Sequence, residues 1–361
     1  MNKRRLPLLP FICLGMLSLA CGCVTLPPPA KICLMDTDTM EIISYQKDAS
    51  RKTGEPWGPH DTEAILPCKL DEDVFRTIYS TGGHSQEGRW IVREYDKNGA
   101  FLAERTFPHL QLHGDSGSYA FSDTLEQIVY RTRSGGISVW DVCSGKEIPL
   151  IERAAENPPK IDWVRWHSPE TVTAMIDSTE DGEYGGTVLA IDVPSREVTL
   201  LYKNDRLWNE AALSPDSRWL VVETSLPFPE PSKLVLVDTA QHSERVIFAP
   251  ASNQFIHNVC WSPDGKSFAF TSDMDVYLYT LEQGEYRLVM RTPGVDGIIY
   301  RLGFLDDSRV FYYYANKGYE GKRYRLILLH LSERRELANI ELPCGGGVEA
   351  FAHGKRLVLR L

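Results

Sequence analysis

The chain has 361 residues, 43% of them apolar, enough to bury one large core or two ordinary ones. Its 49 acidic residues outnumber 39 basic ones, giving a formal charge of −10, and such a surface repels the phosphate backbone of nucleic acids and anionic lipid headgroups. Eight cysteines occur without a C-x-x-C spacing, which argues against a structural zinc site and leaves any disulfide pairing open.

At the amino terminus, Lys3, Arg4 and Arg5 precede an apolar run over residues 6–19, interrupted by Pro7 and Pro10 and followed by small residues. This pattern predicts a secretory signal over residues 1–20, too short and too kinked to span a membrane stably. The string Ser18-Leu19-Ala20-Cys21-Gly22-Cys23 resembles a bacterial lipobox, which implies cleavage before a cysteine that then carries lipid. Cys21 is the first candidate and Cys23 the second. Cleavage before Cys21 removes three basic residues and no acidic one, taking the formal charge from −10 to −13. Residues 21–31 then form the anchor and a stiff spacer built on Pro27-Pro28-Pro29. The expectation is a lipoprotein facing the cell envelope. Gly22 after Cys21 favours the outer membrane over the inner, and plain secretion is the alternative.

Past the spacer, an apolar run closed by a polar residue recurs seven times. In chain order the copies are Ile32-Cys33-Leu34-Met35-Asp36, Ile91-Val92-Arg93-Glu94-Tyr95, Ile137-Ser138-Val139-Trp140-Asp141, Val188-Leu189-Ala190-Ile191-Asp192, Leu234-Val235-Leu236-Val237-Asp238, Val276-Tyr277-Leu278-Tyr279-Thr280 and Leu326-Ile327-Leu328-Leu329-His330. A second stretch alternates with them, an aromatic or leucine anchor before a tight turn. Its clearest copy is Trp261-Ser262-Pro263-Asp264-Gly265-Lys266, and anchors stand at Phe121, Trp166, Leu213, Trp261 and Phe304. Pro263 presets φ, Asp264 accepts a local backbone hydrogen bond and Gly265 suits the exit, so each anchor predicts a β-hairpin. Degenerate copies begin at Ile65 and Phe351.

A period of about 40 to 50 residues signals a propeller or solenoid. The chain begins with the second half of a repeat and ends with the first half of one. In a ring of four-stranded sheets that offset lets the last strands pair with the first, which removes exposed edges. The predicted fold is therefore all-β, a single β-propeller over residues 32–361 with seven four-stranded blades closed by such pairing. Six and eight blades are the alternative counts. The turns at 213–218 and 261–266 resemble the repeats of the TolB family of propellers, over nearly the whole mature chain but with good matches in only two or three blades. Val139-Trp140-Asp141 is similar to the end of a WD repeat.

Counting the strands of each blade a to d, the a–b and c–d turns fall on one side and the b–c and d–a connections on the other. The second set contains the long predicted loops 47–61, 80–88, 107–116, 178–186, 225–233 and 316–323. They carry Trp57, His60, His84, His109, His113, Tyr184, Phe228, Tyr319 and Arg323, and long loops on one side of a rigid scaffold are where binding concentrates. Among them Trp57, His84, Tyr184, Phe228, Tyr319 and Arg323 form the candidate binding set, against the plainer reading that such aromatics pack their own loops. Four positions before the anchors stand Gly117, Asp162, Asn209, His257, Tyr300 and Gly347, with Trp208 and Arg301 beside them. Asp162, Asn209, His257, Tyr300 and Arg301 form a second candidate set at the mouth of the central channel, where hydrated polar groups also suffice.

Apparent catalytic motifs dissolve on inspection. Gly114-Asp115-Ser116-Gly117 has no matching histidine segment, His109 and His113 flank no glutamate, no G-x-S-x-G occurs, and Gly345-Gly346-Gly347 lacks a following lysine. The sequence thus supports a binding or assembly module whose partner is an envelope protein or glycan, a monomeric fold within a larger complex, with no metal and no cofactor. The alternatives are a lactonase-like or glycan-processing enzyme working at the channel, and a purely structural subunit.

Overall fold

The computed structural model describes residues 31–39, 42–47, 63–66, 74–81, 89–96, 100–108, 119–122, 126–132, 134–141, 144–152, 161–177, 186–204, 207–224, 232–250, 254, 256–291, 297–318, 321–342, 349–353 and 356–360. The expected signal segment, with Cys21, Cys23 and Pro27-Pro28-Pro29, lies outside the described residues. Every regular element among the described residues is a strand.

The chain opens with β1 (Lys31–Asp36) and β2 (Ile42–Lys47). A first complete sheet follows in β3 (Glu63–Leu66), β4 (Val74–Thr81), β5 (Arg89–Asp96) and β6 (Phe101–Pro108). The next contains β7 (Tyr119–Phe121), β8 (Gln127–Arg131), β9 (Ile137–Asp141) and β10 (Lys146–Ile151). Then come β11 (Ile161–Ser168), β12 (Thr171–Asp177), β13 (Gly186–Asp192) and β14 (Val198–Asn204). After them stand β15 (Leu207–Leu213), β16 (Trp219–Thr224), β17 (Lys233–Asp238) and β18 (Ser243–Phe248). The pattern repeats in β19 (Ile256–Trp261), β20 (Ser267–Ser272), β21 (Asp275–Thr280) and β22 (Glu285–Arg291). It repeats again in β23 (Gly297–Phe304), β24 (Arg309–Gly318), β25 (Gly321–His330) and β26 (Arg335–Leu342). The last pair, β27 (Glu349–His353) and β28 (Arg356–Arg360), joins the first in a sheet of order β2-β1-β28-β27. There β1 runs antiparallel to β28 from Ile32↔Arg360 to Asp36↔Arg356.

All sheets are four-stranded and antiparallel, and the polar-ended apolar runs are their third strands while the anchors close their first. Most third strands are nearly continuous apolar runs, as expected of a strand packed on both faces, although Arg93 and Glu94 interrupt β5 and Ser138 interrupts β9. In β17, Leu234 and Leu236 belong to the core shared with β19–β22, whereas Val235 and Val237 belong to the core shared with β11–β14. The core is therefore a series of layers between successive sheets. β11 packs on β7, β15 on β13, β19 on β15, β23 on β19, β27 on β23 and β3 on β27.

The indole anchors hold these layers in register. Trp166 donates from Nε1 to the carbonyl of Ala120 at 3.1 Å, and Trp261 donates to Ala212 at 2.9 Å. Ala120 and Ala212 each precede the anchor of the preceding sheet in the stack, so the repeated aromatic is an inter-sheet bond as well as a filler.

Hydrogen-bonded turns stiffen one side. In the turn after Trp261, the Ser262 hydroxyl donates to Asp264 at 2.7 Å and accepts the Ser267 N–H at 3.1 Å, while Asp264 accepts the Lys266 N–H at 3.0 Å. Ser214 and Asp216 repeat this arrangement with Arg218 and Trp219. Gly265 has φ of 69°, and a Cβ there would meet Pro215 of the neighbouring turn at 3.5 Å. The aspartates ending third strands close the other turns: Asp36, Asp141, Asp192 and Asp238 each accept backbone N–H groups two or three residues on. Bonds from Val193 to Glu170, Thr239 to Arg218, Leu281 to Lys266 and Leu331 to Ser308 place both kinds of turn on one side. There too Arg309 donates to the Thr37 carbonyl at 2.7 Å and to Asp38 at 3.1 Å, tying β23–β26 to the sheet that holds both ends of the chain.

One expected loop is absent. Residues 316–318 and 321–323 continue β24 and β25, paired as Asn316↔Arg323, Lys317↔Lys322 and Gly318↔Gly321, and residues 319 and 320 lie outside the described residues. A glycine on each side of the tip and a β-favouring tyrosine at 324 let the ladder run on where polar composition alone reads as a loop.

The turns make the fold acid-sensitive. The Ser195 hydroxyl and N–H hold Asp192 below the ordinary carboxylate range. At Asp238, Asp264 and Asp306 burial pushes upward, but turn N–H or hydroxyl donors and the charges of Arg218, Lys266 and Arg309 outweigh it. Lowered folded-state values contribute stability that is present above the unfolded value, about 4, and is lost as pH falls through the folded one. Thermal unfolding midpoints should therefore drop as pH falls below about 4, with a shallower slope in Asp192→Asn/Asp238→Asn.

Candidate functional site

The first strand of each sheet pairs on one edge only, and four of them in succession break register near their start. In β11, Ile161 pairs with Ile176 and Trp163 with Met175, so Asp162 is an inserted residue. In β15 the ladder jumps from Leu207↔Thr224 to Ala211↔Val222, setting residues 208–210 against Glu223 alone. In β19 residues 258 and 259 oppose Phe270, and in β23 Tyr300 is inserted between Ile299↔Tyr314 and Arg301↔Tyr313. The starts of these strands lie opposite the stiffened turns, on the side of the b–c and d–a connections. A bulge of this kind re-aims a side chain and ends regular pairing.

The carbonyls beside the bulges find partners on the preceding sheet. Arg131 on β8 donates to Ile161 at 3.3 Å, Arg165 on β11 to Ala211 at 3.5 Å, and Asn258 on β19 to Ile299 at 3.0 Å. Asn258 holds a left-handed φ of 56°, which asparagine tolerates better than most residues. The same row leaves polar side chains in solvent: His257, Arg165 and Arg301 are exposed, Asp162 is half-buried, and Tyr300 is 40% exposed while stacked on Tyr313 with centroids 6.0 Å apart. Arg165 lies over the Trp163 ring at 4.5 Å.

The sequence-predicted channel residues thus fall in or beside one structural row. Asp162, His257, Tyr300 and Arg301 are all there, and Asn209 occupies the β15 bulge, its side chain outside the described residues. Sequence reasoning missed Arg131, Asn258 and Glu223. Glu223 is buried to 1% exposure opposite the β15 bulge, and its signal was a carboxylate within the apolar run Leu220-Val221-Val222-Glu223. Of the loop set, Trp57, His60, His84, His109, His113, Tyr184, Phe228 and Tyr319 lie outside the described residues, as do Gly117 and Gly347. Arg323 stands on β25 opposite Asn316. Among the described residues, no three His, Cys, Asp or Glu side chains are grouped as a metal site.

No protein-family model and no curated protein matches the chain. Solved structures do. An oligogalacturonate lyase in complex with manganese is 13% identical, with a TM-score of 0.61 over 83% of this chain and 90% of that one. An oligogalacturonate lyase from Vibrio parahaemolyticus is 11% identical, with a TM-score of 0.54 over 83% and 97%. TolB from Acinetobacter baumannii is 15% identical over 87% and 76%, with a TM-score of 0.43. At these identities the likeness to the two lyases is one of fold, and the chain is an all-β protein of the β-propeller kind.

The bulge bond offers a test. Asn258→Leu loses the bond to Ile299 and strains the left-handed backbone, so it should cost about 2 kcal/mol or more in chemical denaturation. Asn258→Gly keeps the backbone freedom and should cost about 1 kcal/mol.

Proposed function

We propose that the chain is a lipid-anchored envelope protein whose sheets are seven blades closed into a ring, and that it works as a binding module for a protein or glycan. The contact surface is the side of the b–c and d–a connections, and Cys21 carries the lipid. The observation that carries the reading is the asymmetry between the two sides. One is stitched by serine–aspartate turns bonded to each other. The other has four consecutive bulged strands that expose His257, Tyr300 and Arg301, and the described strands flanking the long segments 48–62, 82–88, 109–118, 178–185 and 225–231 end or begin on that side. Rigid support below and exposed polar side chains above is the arrangement of a recognition surface. The ring reading draws on the pairing of β1 with β28 and on the packing of each sheet against the next, and it requires β3–β6 to meet β7–β10.

Catalysis at the mouth is the second reading. It is favoured by the presence of His257 and Arg301 on bulged first strands and of the buried Glu223 opposite the β15 bulge, since displaced backbone and buried carboxylates occur at reactive sites.

Replacing Trp57, Tyr184, Phe228 and Tyr319 together by alanine should abolish capture of a partner crosslinked in the native envelope and leave the unfolding midpoint within about 0.5 kcal/mol of the parent. Undiminished capture by that variant rejects the loop-bearing side. A stoichiometric metal ion in the purified protein, lost on His257→Ala, selects the catalytic reading instead.

A further inference from the structure

The longest hairpin in the described chain is also its most basic. β24 and β25 are ten residues each, and their last two pairs, Lys317↔Lys322 and Gly318↔Gly321, run past both flanking strands, since β23 reaches only Asn316 and β26 only Tyr324. By strand rise the extension projects about 7 Å before its tip. Residues 316–323 hold Lys317, Lys322 and Arg323 against the single acid Glu320, in a chain of formal charge −10, while Arg325 just beyond them is paired with Glu341 of β26. Lys317 and Lys322 are register partners in the ladder. Like charges in that position weaken a hairpin, so stability does not account for them, and an anionic partner does.

Position names the partner. β1 and β25 are both third strands, and Arg309 bonds Thr37 and Asp38 across their two sheets, so both sheets point the same way. Lys31, at the start of β1, and the ribbon tip therefore lie at the same side in neighbouring sheets. Nine residues separate Cys21 from Lys31, a reach of at most about 35 Å. We propose that the ribbon rests on an anionic bilayer surface through Lys317, Lys322 and Arg323, tilting the loop-bearing side toward the membrane so that the partner it meets is one held at that surface. This rests on the lipid-anchored reading above. The acidic remainder of the body is repelled by the same surface, which makes the basic tip the point of closest approach.

The test uses the full chain as its host processes it, added to vesicles of phosphatidylcholine with phosphatidylglycerol or of phosphatidylcholine alone. Amide exchange over residues 316–323 should slow about tenfold in the anionic vesicles only, and the protection should disappear at about 0.5 M salt. Lys317→Glu/Lys322→Glu/Arg323→Glu should lose it. Lys146→Glu/Lys266→Glu/Arg335→Glu, an equal change of net charge among the turns of the opposite side, should keep it. Equal exchange in both vesicle types, or equal protection of both variants, overturns the proposal. So does protection by a soluble acidic polysaccharide without protection by vesicles, which reassigns the ribbon to a glycan. Palmitate incorporation that depends on Cys21 reports the anchor separately: its absence defeats the anchored reading, and with it this membrane orientation, even where the ribbon binds vesicles.

Discussion

Apolar side chains packed between one four-stranded sheet and the next hold the rest of the structure in place. Val221, Leu234 and Leu236 of β15–β18 meet Phe268, Phe270 and Tyr279 of β19–β22, while Leu220, Val222, Val235 and Val237 of the same sheet face the other way into Trp163, Met175 and Val188. Each such side chain contributes about 1.5–3 kcal/mol by leaving water. A middle strand isolated from either neighbour would present an apolar face to solvent. The arrangement therefore favours many sheets in succession, each supporting the next, over any sheet alone.

That dependence explains the pairing of the two ends of the chain. A terminal sheet made only of β27 and β28 would be too small to bury the apolar face of β23, and β1 with β2 would be an unsupported hairpin. Joined in one sheet they supply four strands, with Met35 and Leu357 fully buried. Arg309 then binds the Thr37 carbonyl from the adjacent sheet, so the joint is held by packing, by a ladder and by a charged bond at once.

The two sides of the molecule solve different problems. On the turn side, short serine–aspartate loops satisfy their own backbone groups and link to neighbouring turns, as in the bond from the Asp264 N–H to Asp307 at 3.0 Å. On the other side, the bulges give up regular pairing and recover the lost carbonyl bonds from Arg131, Arg165 and Asn258 on the preceding sheets. Displaced backbone is tolerated because the preceding sheet completes it, and side chains such as His257 and Tyr300 remain exposed. The basic ribbon rises from that same side.

The third-strand runs and the anchor turns were legible from sequence because each rests on local chemistry: apolar continuity for a strand buried on both faces, and proline, aspartate and glycine for the turn. The half-repeat offset between the two ends was legible as well, and it foretold which strands share the terminal sheet. The candidate channel positions were located by counting back from the anchors, but their shared character as bulges was not, since an inserted residue is defined only against its partner strand. Arg131 and Asn258 could not be recognised as inter-sheet donors, because their acceptors lie 30 and 41 residues away. Residues 316–323 read as a loop from composition, and only the cross-strand register showed that 316–318 and 321–323 extend a hairpin in which Lys317 and Lys322 are partners. The sequence alone thus determined the kind and order of the elements through short-range preferences. Tertiary structure decided which carbonyls are shared between sheets and where charge gathers, since both depend on distances that packing sets.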